Sequence, residues 1–283
     1  MQIGIGLALA AALMTNLASL LKHRGCQHAE PVCIRSPLRT ARRLATSRWF
    51  MAGWGVAAVA WLIHIAALSM APISLVQAVL AGGAVTLAVM AQKFFGAPVE
   101  RRQWIALFLG AAGLALLVLT VPSFQGSHSS FSPAAILGFE GGLALIAAGL
   151  VSSRDSERLA NHGHVLFAAI AGILFALAGV AIKGLTGASD VSLAVLAPWI
   201  GLTVLAGALA QYAAAAALQR GGAIETIGLM GLVANGAQIA GGILVFGDPL
   251  AANPVGLALQ GTAFAMVCSS ALLIPSRRVA ATA

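Results

Sequence analysis

What most restricts this chain is a recurrence: apolar segments nearly free of charge, each long enough to cross a bilayer as helix, follow one another from end to end. They fall at residues 2 to 22, 49 to 70, 73 to 92, 104 to 121, 134 to 152, 165 to 184, 193 to 216, 223 to 246 and 255 to 275. A hydrocarbon core of about 30 Å takes roughly 20 helical residues. Unpaired backbone groups are too costly there for loops or open strands. The expected fold class is an all-α integral membrane protein with about nine transmembrane helices. Composition agrees, with 8% charged residues in 283 against about 25% in an ordinary soluble domain.

The connections sort charge. Every Lys and Arg except Lys183 falls in the first, third, fifth and seventh connections, at their edges or in the tail, at Lys22, Arg24, Arg35, Arg39, Arg42, Arg43, Arg48, Lys93, Arg101, Arg102, Arg154, Arg158, Arg220, Arg277 and Arg278. Ala71-Pro72 and the stretches 122–133, 185–192 and 247–254 contain none. By the positive-inside rule the basic connections face the cytoplasm. This puts the N-terminus outside, the C-terminus inside, and the protein in an inner or plasma membrane. Trp49, Phe50, Phe94 and Trp104 fit an interfacial belt on the basic side.

No acidic or basic residue lies between Met1 and Leu21, and Lys22 and Arg24 follow that apolar run instead of preceding it. The segment therefore reads as a retained helix and not a secretory signal. The net charge of +8 is spread between apolar runs, so no nucleic-acid face is expected. Cys26, Cys33 and Cys268 form no disulfide framework. His23, Cys26, His28 and Cys33 share a loop without a zinc spacing, and lipid headgroups are the expected partner of that basic loop.

A shift of 151 lays Phe95-Gly96-Ala97-Pro98-Val99 on Phe246-Gly247-Asp248-Pro249-Leu250 and Gly110 on Gly261. A shift near 150 lays Ala67-Leu68 on Ala217-Leu218. Helices two to four then pair with seven to nine, and the first with the sixth. Five helices separate each pair, so partners cross the membrane in opposite senses, as in inverted-repeat transporters. The expected organisation is a first repeat at 1–121 with a basic cytoplasmic loop at 23–48, a linker helix at 134–152, a second repeat at 165–275 and a cytoplasmic tail at 276–283.

With Ala67-Leu68-Ser69-Met70-Ala71-Pro72-Ile73-Ser74-Leu75-Val76-Gln77, Ala181-Ile182-Lys183-Gly184-Leu185, Gln211-Tyr212 and the two Phe-Gly-x-Pro turns, the chain resembles the drug/metabolite transporter superfamily. It is nearer the nine-helix, magnesium-transporter-like NIPA branch than the ten-helix EamA branch. The resemblance covers nearly the whole chain. It implies two inverted four-helix repeats, a central pathway and alternating access without nucleotide hydrolysis. Where EamA-type turns carry glutamate, this chain has Ala97 and Asp248.

Ionisable groups in hydrocarbon cost about 2.5 to 3.5 kcal/mol on insertion scales, so each is a site candidate. Glu140 and Lys183 are expected near the same face of the membrane, where they could pair. Lys183 alone could present a cation to an anionic substrate, or snorkel to water from its helix end as Lys22 could from the first helix. Glu225 suits the first turn of its helix, and His64 could carry a coupling proton or bond a neighbouring helix. Asn16, Gln77, Gln211, Tyr212, Asn235 and Gln238 bridge helices or line a polar pathway, with Gln211, Asn235 and Gln238 preferred. Gly82-Gly83, Gly110 to Gly113, Gly141-Gly142 and Gly241-Gly242 suit close helix packing.

No Walker A motif, catalytic carboxylate pair or nucleophile elbow occurs, so no enzymatic activity and no cofactor are expected. The expected function is secondary transport of a small polar metabolite. The alternatives are a divalent cation such as magnesium, which needs several oxygen ligands, or a flippase-like handler of lipid-linked sugar. A chain with both repeats could act as a monomer or as a homodimer.

Overall fold

In the computed structural model, helix is the only regular structure among the described residues, which are 2–27, 29–30, 32, 36–96, 99–120, 132–153, 163–186, 193–248 and 250–273. The helices are α1 (Gln2–Gln27), α2 (Pro37–Ala45), α3 (Arg48–Met70), α4 (Ile73–Gly82), α5 (Ala84–Phe95), α6 (Arg101–Thr120), α7 (Pro133–Ser152), α8 (Gly163–Thr186), α9 (Leu193–Arg220), α10 (Ala223–Phe246) and α11 (Pro254–Leu273). Among them, seven spans are long and apolar enough to cross a membrane: α1, α3, α4 with α5, α7, α8, α9 and α10. Phe108, Leu145, Leu244 and Val255 stand exposed, and so large an apolar exterior belongs in lipid. The protein is an all-helical, multi-pass membrane protein. The 20-residue helices α6 and α11 occupy the fourth and ninth apolar segments.

The helix ends follow local chemistry. Ser47 caps α3 by accepting the Phe50 N–H at 3.4 Å. Both α5 and α10 stop at a glycine with φ of 64°, Gly96 and Gly247, the left-handed conformation that glycine adopts without a Cβ penalty.

Three boundaries differ from expectation. α1 continues to Gln27, and His23 in the added stretch lies 3.3 Å from the Gly221 carbonyl just past α9. The basic loop contains α2. The third segment breaks at Gly83, whose carbonyl accepts the Asn16 amide and the Thr86 hydroxyl, each at 2.6 Å. The backbone ladder still runs through this residue, with the Gly83 N–H on the Val79 carbonyl at 3.2 Å and the Leu87 N–H on the Gly83 carbonyl at 3.1 Å, so α4 and α5 stay one span. A Cβ at Gly83 would lie 2.8 Å from that of Ala12, so glycine also lets α4–α5 press against α1.

α1 packs on α3, α8 on α9, and α6 on α11, while α10 lies against α8 and α4. α7 rests on α8 and α10 through one stripe that includes Ile136, Glu140 and Ala147. Two apolar clusters lie towards opposite ends of the bundle. One joins Leu20, Phe50, Leu87, Ile170, Leu218 and Met230; the other joins Ala8, Leu68, Ile73, Val180, Ile182 and Phe246. Asn16 on α1, and Asn235 and Gln238 on α10, fall between the residues that those helices give to the two clusters.

Candidate functional site

Nearest the middle of the bundle is an amide relay. Gln77 Nε2 on α4 donates to Gln238 Oε1 on α10 at 2.8 Å and lies 3.4 Å from His64 Nε2 on α3. Gln238 fits because α8 has Gly179 opposite it; a Cβ there would lie 1.9 Å from Gln238 Oε1. The relay leaves His64 Nδ1 and Gln77 Oε1 buried without a hydrogen-bond partner among the described residues. Buried polar atoms of that kind are costly, and they mark where a ligand or water has something to gain. Asn235 is buried one turn before Gln238 on α10.

At one end of the relay, Lys183 is fully buried. Its ammonium donates to the carbonyls of Leu68 at 2.6 Å and Ala71 at 3.0 Å, where α3 ends and its dipole is negative. Asp248 lies within electrostatic reach of it and accepts the Ser74 N–H at 2.7 Å, capping α4. Of the readings open for Lys183, snorkelling to water is not what the structure has: these carbonyls hold it inside. A pairing with Glu140 is not formed either, because both Glu140 oxygens are buried with no hydrogen-bond partner among the described residues. The sequence reading treated Asp248 only as a departure from a family turn and missed it as a cap; its signal was a carboxylate in a turn facing a helix start.

At the opposite end, Lys22 Nζ donates to Gln211 Oε1 at 3.1 Å. The pair lies on a cavity of about 30 Å³ walled by Ser19, Phe50, Phe175, Ala214, Leu218 and Met230. That is room for roughly one or two waters. Beside it His23 Nε2 lies 3.3 Å from the Gly221 carbonyl, so the ends of α1 and α9 are tied as the ends of α8 and α3 are. Phe50 is buried here and therefore does not belong to an interfacial belt, because it fills the space between α1 and α3. Tyr212 follows Gln211 on α9, partly buried against the apolar cluster.

Other groups are structural ties. Glu225 Oε1 lies 2.8 Å from His164 Nε2, so α10 begins on α8 through this polar contact as well as a favourable dipole. Gln219 holds the α1–α2 connection by accepting the Val32 N–H at 2.7 Å and donating to the Glu30 carbonyl at 2.9 Å. His28 and Cys33 lie outside the described residues, as do Arg154, Arg158, Arg277 and Arg278. Among the described residues, no three His, Cys, Asp or Glu side chains gather as a metal site. Gly141 and Gly142 have nothing within 4 Å of an added Cβ; they face away from α8 and α10, which corrects their assignment to close packing.

In comparisons with known proteins, no family model, no curated protein and no solved structure matches this chain.

Proposed function

We propose that the protein is a secondary transporter of the drug/metabolite type, moving a small polar metabolite through the seam between its two halves by alternating access. The observation that carries this is the Lys22–Gln211 pair on a cavity between α1 and α9, in a bundle that also buries the linked amides of Gln238 and Gln77 beside His64. A helical bundle needs no such buried polar series for stability, since amide bonds between membrane helices give only about 0.6 to 2 kcal/mol each.

Two inverted four-helix repeats joined by α7, with nine spans and the N-terminus outside an inner or plasma membrane, are part of this reading. The matching left-handed glycines at 96 and 247 support it. So does the likeness of the α1–α3 and α8–α9 packings. A further parallel is that Lys183 ties α8 to the end of α3 while His23 ties α1 to the end of α9.

The divalent-cation reading has less behind it. A hard cation wants several oxygen ligands, and Glu140 brings a lone carboxylate to the core. The test is uptake by purified protein in liposomes, across a metabolite panel and magnesium, under proton or sodium gradients. Movement of one metabolite class supports the proposal. No movement of any metabolite under either gradient ends it.

A further inference from the structure

Two lysines are buried in the bundle, and they are not equivalent. An ammonium has three N–H donors. Lys183 gives two of them to main-chain carbonyls, with the Asp248 carboxylate near. Lys22 has one acceptor, the Gln211 amide oxygen, and no carboxylate is paired with it among the described residues. Its remaining donors adjoin the cavity. A buried cation without a counter-charge is costly, and a bound anion would supply one.

We infer that this cavity takes the carboxylate of a small organic acid as its ligand, with Lys22 as the counter-ion. Among the lining residues Lys22 is the single formal charge, which suits a monoanion better than a phosphate dianion. The Gln211 amide nitrogen and the Ser19 hydroxyl are further donors beside it. The remaining walls, Phe50, Phe175, Leu218 and Met230, close round a space of one or two waters, so the smallest acids fit, with little beyond the carboxylate itself. As the substrate class of the transporter, this rests on the function proposed above. As a binding site it stands on the cavity.

The test is thermal melting of the detergent-purified full chain at constant ionic strength with formate or acetate, set against chloride, inorganic phosphate and methylammonium. A ligand that binds only the folded state raises Tm. We expect a saturable rise of several degrees with the carboxylates alone. It should vanish in Lys22→Gln and in Gln211→Glu, where the new side chain itself neutralises the ammonium and keeps the fold at least as stable.

A missing carboxylate response, an equal response to chloride or phosphate, or a response that survives Gln211→Glu overturns the inference. If Lys22→Gln fails to fold, Gln211→Glu decides. Liposome uptake run in parallel separates the two ideas. Carboxylate binding without uptake of any solute removes the transport function and leaves the site. Uptake of neutral or cationic solutes without carboxylate binding removes the site and leaves the function.

Discussion

The carboxylate of Asp248 accepts the backbone N–H of Ser74 at 2.7 Å, 174 positions away in the chain. The turn that follows α10 therefore caps α4, and the same carboxylate stands near the buried Lys183. Asp248→Ala should cost about 1 to 2 kcal/mol, the upper range for a lost cap. Asp248→Asn, which keeps an acceptor oxygen, should cost less. Denaturation in mixed micelles measures both, and equal losses would show that the hydrogen bond contributes nothing beyond charge.

Glu140 predicts the opposite sign. Its oxygens are buried without a hydrogen-bond partner among the described residues, and an isolated buried carboxylate carries a desolvation penalty of several kcal/mol. Glu140→Gln should raise the melting temperature. Stability held back in this way is common where function needs the group, so the same variant should slow uptake in liposomes. A lower melting temperature would mean that Glu140 is held by bonds that stabilise its charge.

The relay between α4 and α10 can be measured directly. A double-mutant cycle of Gln77→Leu and Gln238→Leu isolates their bond at 2.8 Å, and the coupling should be about 0.6 to 1.7 kcal/mol, as for polar pairs between membrane helices. A coupling indistinguishable from zero would place the two amides in separate roles.

Glycine substitutions should divide by position. At Gly113 on α6 an added Cβ would lie 2.8 Å from that of Met266 on α11, so Gly113→Ala should loosen the α6–α11 pair and destabilise the protein by about 1 to 3 kcal/mol. Gly141→Ala meets open space and should stabilise α7 by about 0.5 to 1 kcal/mol through backbone entropy. Melting curves of the two variants should therefore move in opposite directions.

The helices were legible in the sequence because lipid imposes the rule: a spanning segment must be apolar, about 20 residues long and internally hydrogen-bonded. The Phe-Gly-x-Pro turns at Gly96 and Gly247 were legible as a repeat, but not as left-handed helix stops, and the third segment runs three residues beyond its expected end at 92. The partners of the buried charges were not legible. Lys183 bonds to carbonyls, a group every residue carries, so nothing in the side-chain pattern named Leu68 and Ala71. Lys22 and Gln211 lie 189 positions apart, and only the packing of α1 near α9 brings them together. The one-residue interruption at Gly83 was hidden because Asn16, which bonds its carbonyl, lies on another helix.

The carbonyl of Gly83 serves three donors at once, the Asn16 amide, the Thr86 hydroxyl and the Leu87 N–H. The backbone ladder therefore continues through the position, and α4 with α5 remains one span, packed against α1 along both parts and bonded to α10 through Gln77. A tilt of that span at one face of the bilayer would be passed straight to the Gln77–Gln238 bond.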